Sequence, residues 1–108
     1  MRWHVIAIAC LSLSALSAAA QDKDVPIYAL YSCGDLVASK DTAATKIAAG
    51  NYARGYFSAF NIFLPKRKPI ATTVTDSTVM LYLEKFCRDN PLDAASSGVM
   101  RMANDLSK

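Results

Sequence analysis

Residues 41–63 read Asp-Thr-Ala-Ala-Thr-Lys-Ile-Ala-Ala-Gly-Asn-Tyr-Ala-Arg-Gly-Tyr-Phe-Ser-Ala-Phe-Asn-Ile-Phe, and this stretch decides the fold class. Ala44, Ala48, Tyr52, Tyr56, Phe60 and Phe63 recur at spacings of four, four, four, four and three, with Ile47 and Ala59 joining the same row. That is the period of a helix with a broad apolar face. Asp41 or Thr42 can cap its start, and Pro65 ends it. Gly50 and Gly55 each cost ~1 kcal/mol relative to Ala inside a helix, so each predicts a close approach by another helix or a local break. The stripe is expected to be core. Phe57 and Ile62 fall off it and are candidates for an exposed contact.

Outward from this helix the pattern stays helical. Upstream, Ile27, Tyr28, Leu30 and Tyr31 lead into a short helix from Cys33 to about Lys40. Ser32 is its cap, Asp35 sits near its positive start, and Leu36 and Val37 are expected to face inward. Downstream, Pro65–Thr75 is an irregular connection. It holds Lys66, Arg67 and Lys68 between two prolines, then an extended Ile70–Val74 stretch without a partner strand. Thr75 or Asp76 caps a third helix to about Arg88, with Val79, Met80, Leu83, Phe86 and Cys87 on one face. Asn90-Pro91 is expected to open a fourth helix, Pro91 at its first position, with an apolar seam of Leu92, Ala95, Val99, Met102 and Leu106. The predicted fold is all-α, a small bundle of about four helices with one disulfide.

The first twenty residues read differently. Arg2 precedes an uncharged apolar or small run from Val5 to Leu16, then Ser17-Ala18-Ala19-Ala20, then the polar Gln21-Asp22-Lys23-Asp24. This is the order of a cleaved secretory signal, with small residues at Ala18 and Ala20. The rival is a membrane anchor, but the run is rich in Ala and Ser at its downstream end, and a spanning helix wants ~20 predominantly apolar residues. The expected organisation is a signal peptide over residues 1–20 and one domain over 21–108, exported to the periplasm. Stable membrane insertion is not expected.

Of the chain's 108 residues, 12 are Lys or Arg and 9 are Asp or Glu, for a formal net charge of +3. Signal removal takes Arg2, the single His (His4) and the single Trp (Trp3), leaving eleven basic and nine acidic side chains. A domain without histidine has neither Ser-His-Asp nor Cys-His catalysis nor a His-ligated zinc. Asp89 and Asp93 flank a helix start, where carboxylates suit the macrodipole. Ser96-Ser97-Gly98 lies mid-helix with no base and is no nucleophile elbow. The expectation is a protein that binds and does not catalyse, without metal or cofactor. Lys66, Arg67 and Lys68 could meet an acidic partner or an anionic membrane surface, against the plainer reading of a solvated loop. Modest net charge argues against nucleic acid.

Cys33 and Cys87 remain after signal removal. In an oxidising compartment a single pair most simply forms one disulfide, the alternative being two unpaired buried thiols. The closed loop of about 55 residues corresponds to roughly 4 kcal/mol in the chain-entropy view, large against the ~5–15 kcal/mol total of a small domain.

Three segments together, Ser32-Cys33-Gly34-Asp35-Leu36, Gly55-Tyr56-Phe57-Ser58-Ala59-Phe60-Asn61 and Phe86-Cys87-Arg88-Asp89-Asn90-Pro91-Leu92, resemble the HdeA/HdeB-like group of small exported bacterial proteins. The resemblance runs from about Tyr31 to Leu106 and rests on order and spacing. It implies an all-α fold with one disulfide between an early and a late helix, which Cys33 and Cys87 match, and a periplasmic home. The type members are acid-stress chaperones, dimeric at neutral pH, that loosen on acidification and hold unfolded proteins. Related disulfide-tied domains include immunity proteins with one dedicated partner. The resemblance therefore implies protein partners, either unfolding clients or one dedicated protein, and a homodimer. Without histidine, an acid switch must use Asp22, Asp24, Asp35, Asp41, Asp76, Glu84, Asp89, Asp93 and Asp105, since carboxylates titrate near ~4.

Overall fold

The computed structural model describes residues 30–108. The expected signal segment and its cleavage before Gln21 lie outside the described residues. Among the described residues there are four helices and no strand: α1 (Cys33–Ala38), α2 (Ala43–Phe63), α3 (Asp76–Asp89) and α4 (Ala95–Leu106). The small all-α bundle read from the sequence is the fold, and Cys33 is bonded to Cys87 across a Cα–Cα distance of 5.0 Å.

Three helices begin on a hydroxyl cap. The Ser32, Thr42 and Thr75 oxygens accept the backbone N–H of Asp35, Thr45 and Thr78 at 3.1, 3.3 and 3.2 Å, satisfying donors that a helix start leaves free. The fourth start is different. Ala94 has no side-chain cap; instead the N–H of Ala95 donates to the Tyr31 carbonyl (2.8 Å) and that of Cys33 to the Asp93 carbonyl (2.9 Å). This isolated antiparallel bridge between Ser32 and Ala94 holds the backbone extended there. Helix α4 therefore opens at Ala95, not at Pro91 as its sequence suggests. Asn90 ends α3 instead, its N–H and Nδ2 both donating to the Phe86 carbonyl. Leu92, expected in the apolar seam, is 99% exposed.

Helix α3 is central, packing against α1, α2 and α4. Its predicted inner face, Val79, Met80, Leu83, Phe86 and Cys87, is buried throughout. Leu36, Val79, Leu83, Val99 and Met102 are essentially inaccessible, and burying a side chain of this size is worth ~1.5–3 kcal/mol. Gly98 lies where α4 crosses α3: a Cβ there would stand 2.7 Å from the Leu83 Cδ2 and 2.8 Å from the Phe86 ring. That glycine sets the α3–α4 separation.

Helix α2 buries Thr45, Ala49, Ala53 and Phe57 in place of the expected Ala44, Ala48, Tyr52 and Tyr56, while Phe60 of the expected stripe is buried as read. The two rows keep the same spacing but differ by one residue, about 100° of rotation. Ala49 and Ala53 are buried beside Gly50, and the Asp76 carboxylate of α3 occupies the place a Gly50 side chain would need. A face of small residues admits the start of α3; the tyrosine row would not. Tyr52 and Tyr56 therefore sit half-buried at the core margin, while Ala44, Ile47 and Phe63 are exposed. Val37 on α1, expected inside, is also exposed.

Candidate functional site

The connection from α2 to α3 is pinned at both ends. The last turn of α2 closes with the Leu64 N–H on the Phe60 carbonyl (2.9 Å), followed by Arg67 N–H on the Leu64 carbonyl (3.1 Å). Asn61 then clamps Ile70: its Oδ1 accepts the Ile70 N–H at 2.8 Å and its Nδ2 donates to the Ile70 carbonyl at 3.0 Å. Ile70 is buried, which anchors the far side of the loop. The Arg67 guanidinium stacks over the Phe60 ring, 5.8 Å from its centroid, and donates to the Ser107 Oγ at 2.9 Å at the end of α4.

Between these pins every residue from Ile62 to Pro69 is exposed. Ile62 is 69% and Phe63 78% accessible, and Leu64 is also exposed. Among the described residues Lys66 and Lys68 join no ion pair and no side-chain hydrogen bond. The segment is a fixed knuckle that presents three large apolar side chains beside two free ammonium groups.

The residues singled out in the sequence thus divide. Ile62, Lys66 and Lys68 are exposed on the knuckle. Arg67 is there too, but its guanidinium is held against α4 and not offered freely. Phe57 is a correction: only 5% of it is accessible, because the rotation of α2 turns it into the core. Phe63, assigned to the inner stripe, takes its place at the surface. A signal for this region was present in the charge pattern: residues 42–75 contain five Lys or Arg and no Asp or Glu.

A second set of polar residues joins helices. The Arg54 guanidinium of α2 pairs with the Asp76 carboxylate at the start of α3, at 2.5 Å. The Tyr82 hydroxyl of α3 donates to the Asp105 Oδ2 of α4 at 2.6 Å, and Lys108 pairs with the other Asp105 oxygen at 2.9 Å. The Tyr82 bond, then Lys108, holds the Asp105 carboxyl below its usual range. Burial first, then that same bond, pushes the Tyr82 phenol up to about 12. Spacing alone could not reveal these pairs, which lie 22 and 23 residues apart.

No family model, no curated protein and no solved structure matches this chain.

A cavity of about 220 Å³ opens between α3 and α4, lined among others by Tyr82, Lys85, Asp89, Arg101 and Asp105. Asp89 reaches it but Asp93 does not, so the two carboxylates noted in the sequence do not converge on one cavity. Ser96, expected mid-helix, is instead buried in the first turn of α4. Among the described residues no three potential metal ligands cluster, and no buried side-chain polar atom lacks a partner. The arrangement offers an exposed apolar and cationic knuckle and two carboxylate links between helices.

Proposed function

We propose that this chain is an exported, periplasmic protein of the HdeA-like kind that loosens in acid and then holds unfolding client proteins. One observation carries the reading. Among the described residues, Arg54–Asp76 is the salt bridge that joins two helices, and Tyr82–Asp105 is the side-chain bond that joins α3 to α4; each depends on a carboxylate. For Asp105 the sign is explicit. Its folded pKa is depressed, so its contribution is present at neutral pH and is lost as pH falls through that folded value.

Acid would also leave eleven fixed cations without opposing carboxylates in the expected mature chain, and such charge favours expansion. The disulfide does not titrate in this range. It would keep the α1 start at the α3 end while α2 and α4 move off α3. The faces uncovered, Ala49, Ala53 and Phe57 on α2 and Val99 and Met102 on α4, are apolar, the chemistry an unfolded client needs.

The test joins two readouts. Below about pH 3, under the ~4 range of free carboxylates, a hydrophobic dye should bind and near-UV circular dichroism should fade while far-UV signal persists. In the same range the protein should keep an acid-sensitive client in solution. A fold that stays rigid at that pH, or that opens without protecting any client, overturns the reading. A one-to-one protein complex captured at neutral pH from periplasmic extract would favour a dedicated partner instead.

A further inference from the structure

We propose that the Ile62–Pro69 knuckle docks on an anionic lipid bilayer, with Ile62, Phe63 and Leu64 entering the interface and Lys66 and Lys68 meeting lipid phosphates. Three observations converge on that occupant. The first is shape with chemistry: eight consecutive exposed residues carry large apolar side chains next to cations, the pairing that binds an interface by apolar burial plus attraction to anionic headgroups. The second is charge. The 34 residues 42–75 hold no carboxylate, and Asp105 near the end of α4 is already engaged by Tyr82 and Lys108. The field around the knuckle is therefore positive, and a negatively charged surface complements it.

The third is preorganisation. Pro65 and Pro69 restrict the backbone, while Asn61 on Ile70 and Arg67 on Ser107 fasten the loop to the bundle. Little conformational freedom is left to lose on docking. A second copy of this chain is the poorer occupant for a symmetric contact, because it would bring the same cations face to face. Among the described residues no helix is long and apolar enough to cross a membrane, so the docking is peripheral. It requires no acid opening and stands or falls apart from the chaperone reading.

The experiment is vesicle co-sedimentation of the purified protein at pH 7.5 and 0.1 M salt, with vesicles of phosphatidylcholine alone and with one third phosphatidylglycerol. The parent should bind the phosphatidylglycerol vesicles and leave the neutral ones largely free. At about 1 kcal/mol per surface lysine, K66A/K68A should bind roughly 30-fold more weakly. F63S should lose roughly tenfold through lost apolar burial. L81S, which removes an equally exposed leucine from α3, should bind as the parent does. Far-UV circular dichroism and Tm, unchanged in all three variants, exclude misfolding. Equal binding to both vesicle types, or binding that ignores these residues, overturns the proposal. Loss in the lysine variant alone overturns the entry of the apolar side chains. A dimer in solution that dissociates with the same variants overturns the lipid and assigns the surface to a second copy.

Discussion

The two ends of α3 are held by different chemistry. At its C-terminal end, Cys87 is bonded to Cys33, the Ser32–Ala94 bridge ties the approach to α1 to the start of α4, and Gly98 lets α4 press onto Leu83 and Phe86. The disulfide, the backbone hydrogen bonds of the bridge and the apolar contact at Gly98 themselves involve no ionisable side chain. Over its other half, Asp76 at the first residue grips Arg54 and Tyr82 at the middle grips Asp105, both through carboxylates at least partly open to water. One set is covalent, backbone and apolar; the other runs through side-chain carboxylates. In the proposed acid opening the first set would act as the hinge and the second as the latch, since exposed ion pairs are individually weak.

The comparison breaks most visibly at the covalent end. C33A/C87A should lose roughly 4 kcal/mol, a fall in Tm of roughly 15–30 °C for a domain this small, read by far-UV circular dichroism. A loss under 1 kcal/mol would show that the bridge and packing hold the junction without the bond. Next, G98V should cost ~1–3 kcal/mol, because the new side chain must displace the buried Leu83 and Phe86. G55A on the outer face of α2 should do the reverse and gain ~0.5–1 kcal/mol, since nothing lies within 4 Å of the added Cβ. Equal effects from the two glycines would remove the claim that Gly98 sets the α3–α4 separation.

The latch should give a smaller, pH-dependent effect. D105N should lower Tm at pH 7, where the Asp105 carboxylate acts, and should converge with the parent as pH falls through the depressed folded value of Asp105. Parallel Tm curves across that range would mean that the latch does not sense acid. The smallest effect lies at the alkaline side. Because the folded Tyr82 phenol is raised to about 12, its contribution is complete below pH 10 and is lost as pH rises to about 12. Y82F should remove that part of the alkaline decline, as followed by thermal melts from pH 9 to 12.

Local signals carried much of the architecture. Ser32 announced one helix start outright and the Asp41/Thr42 and Thr75/Asp76 pairs announced two more to within a residue, and α3 showed its inner face because Val79, Met80, Leu83, Phe86 and Cys87 form a single row. Helix α2 was ambiguous for a physical reason. It is apolar on more than one side, so two rows one residue apart have equal period, and only the approach of α3 to the small Ala49–Gly50–Ala53 face selected between them. That selection moved Phe57 inward and Phe63 outward, and with them the candidate contact surface.

By itself, then, the sequence determined helix number and type, one cap outright and two more to within a residue, and the pair of cysteines available to an oxidised domain. These depend on side chains a few residues apart, whose energies are local. The tertiary structure alone decided which face of α2 is core, where α4 begins, and which carboxylates link helices. Each of those depends on groups distant in the chain: Asp76 against Gly50 and Arg54, Tyr31 against Ala95, Tyr82 against Asp105. Periodicity describes one helix at a time, whereas the rotation of a helix about its axis is set by the shape of what packs against it.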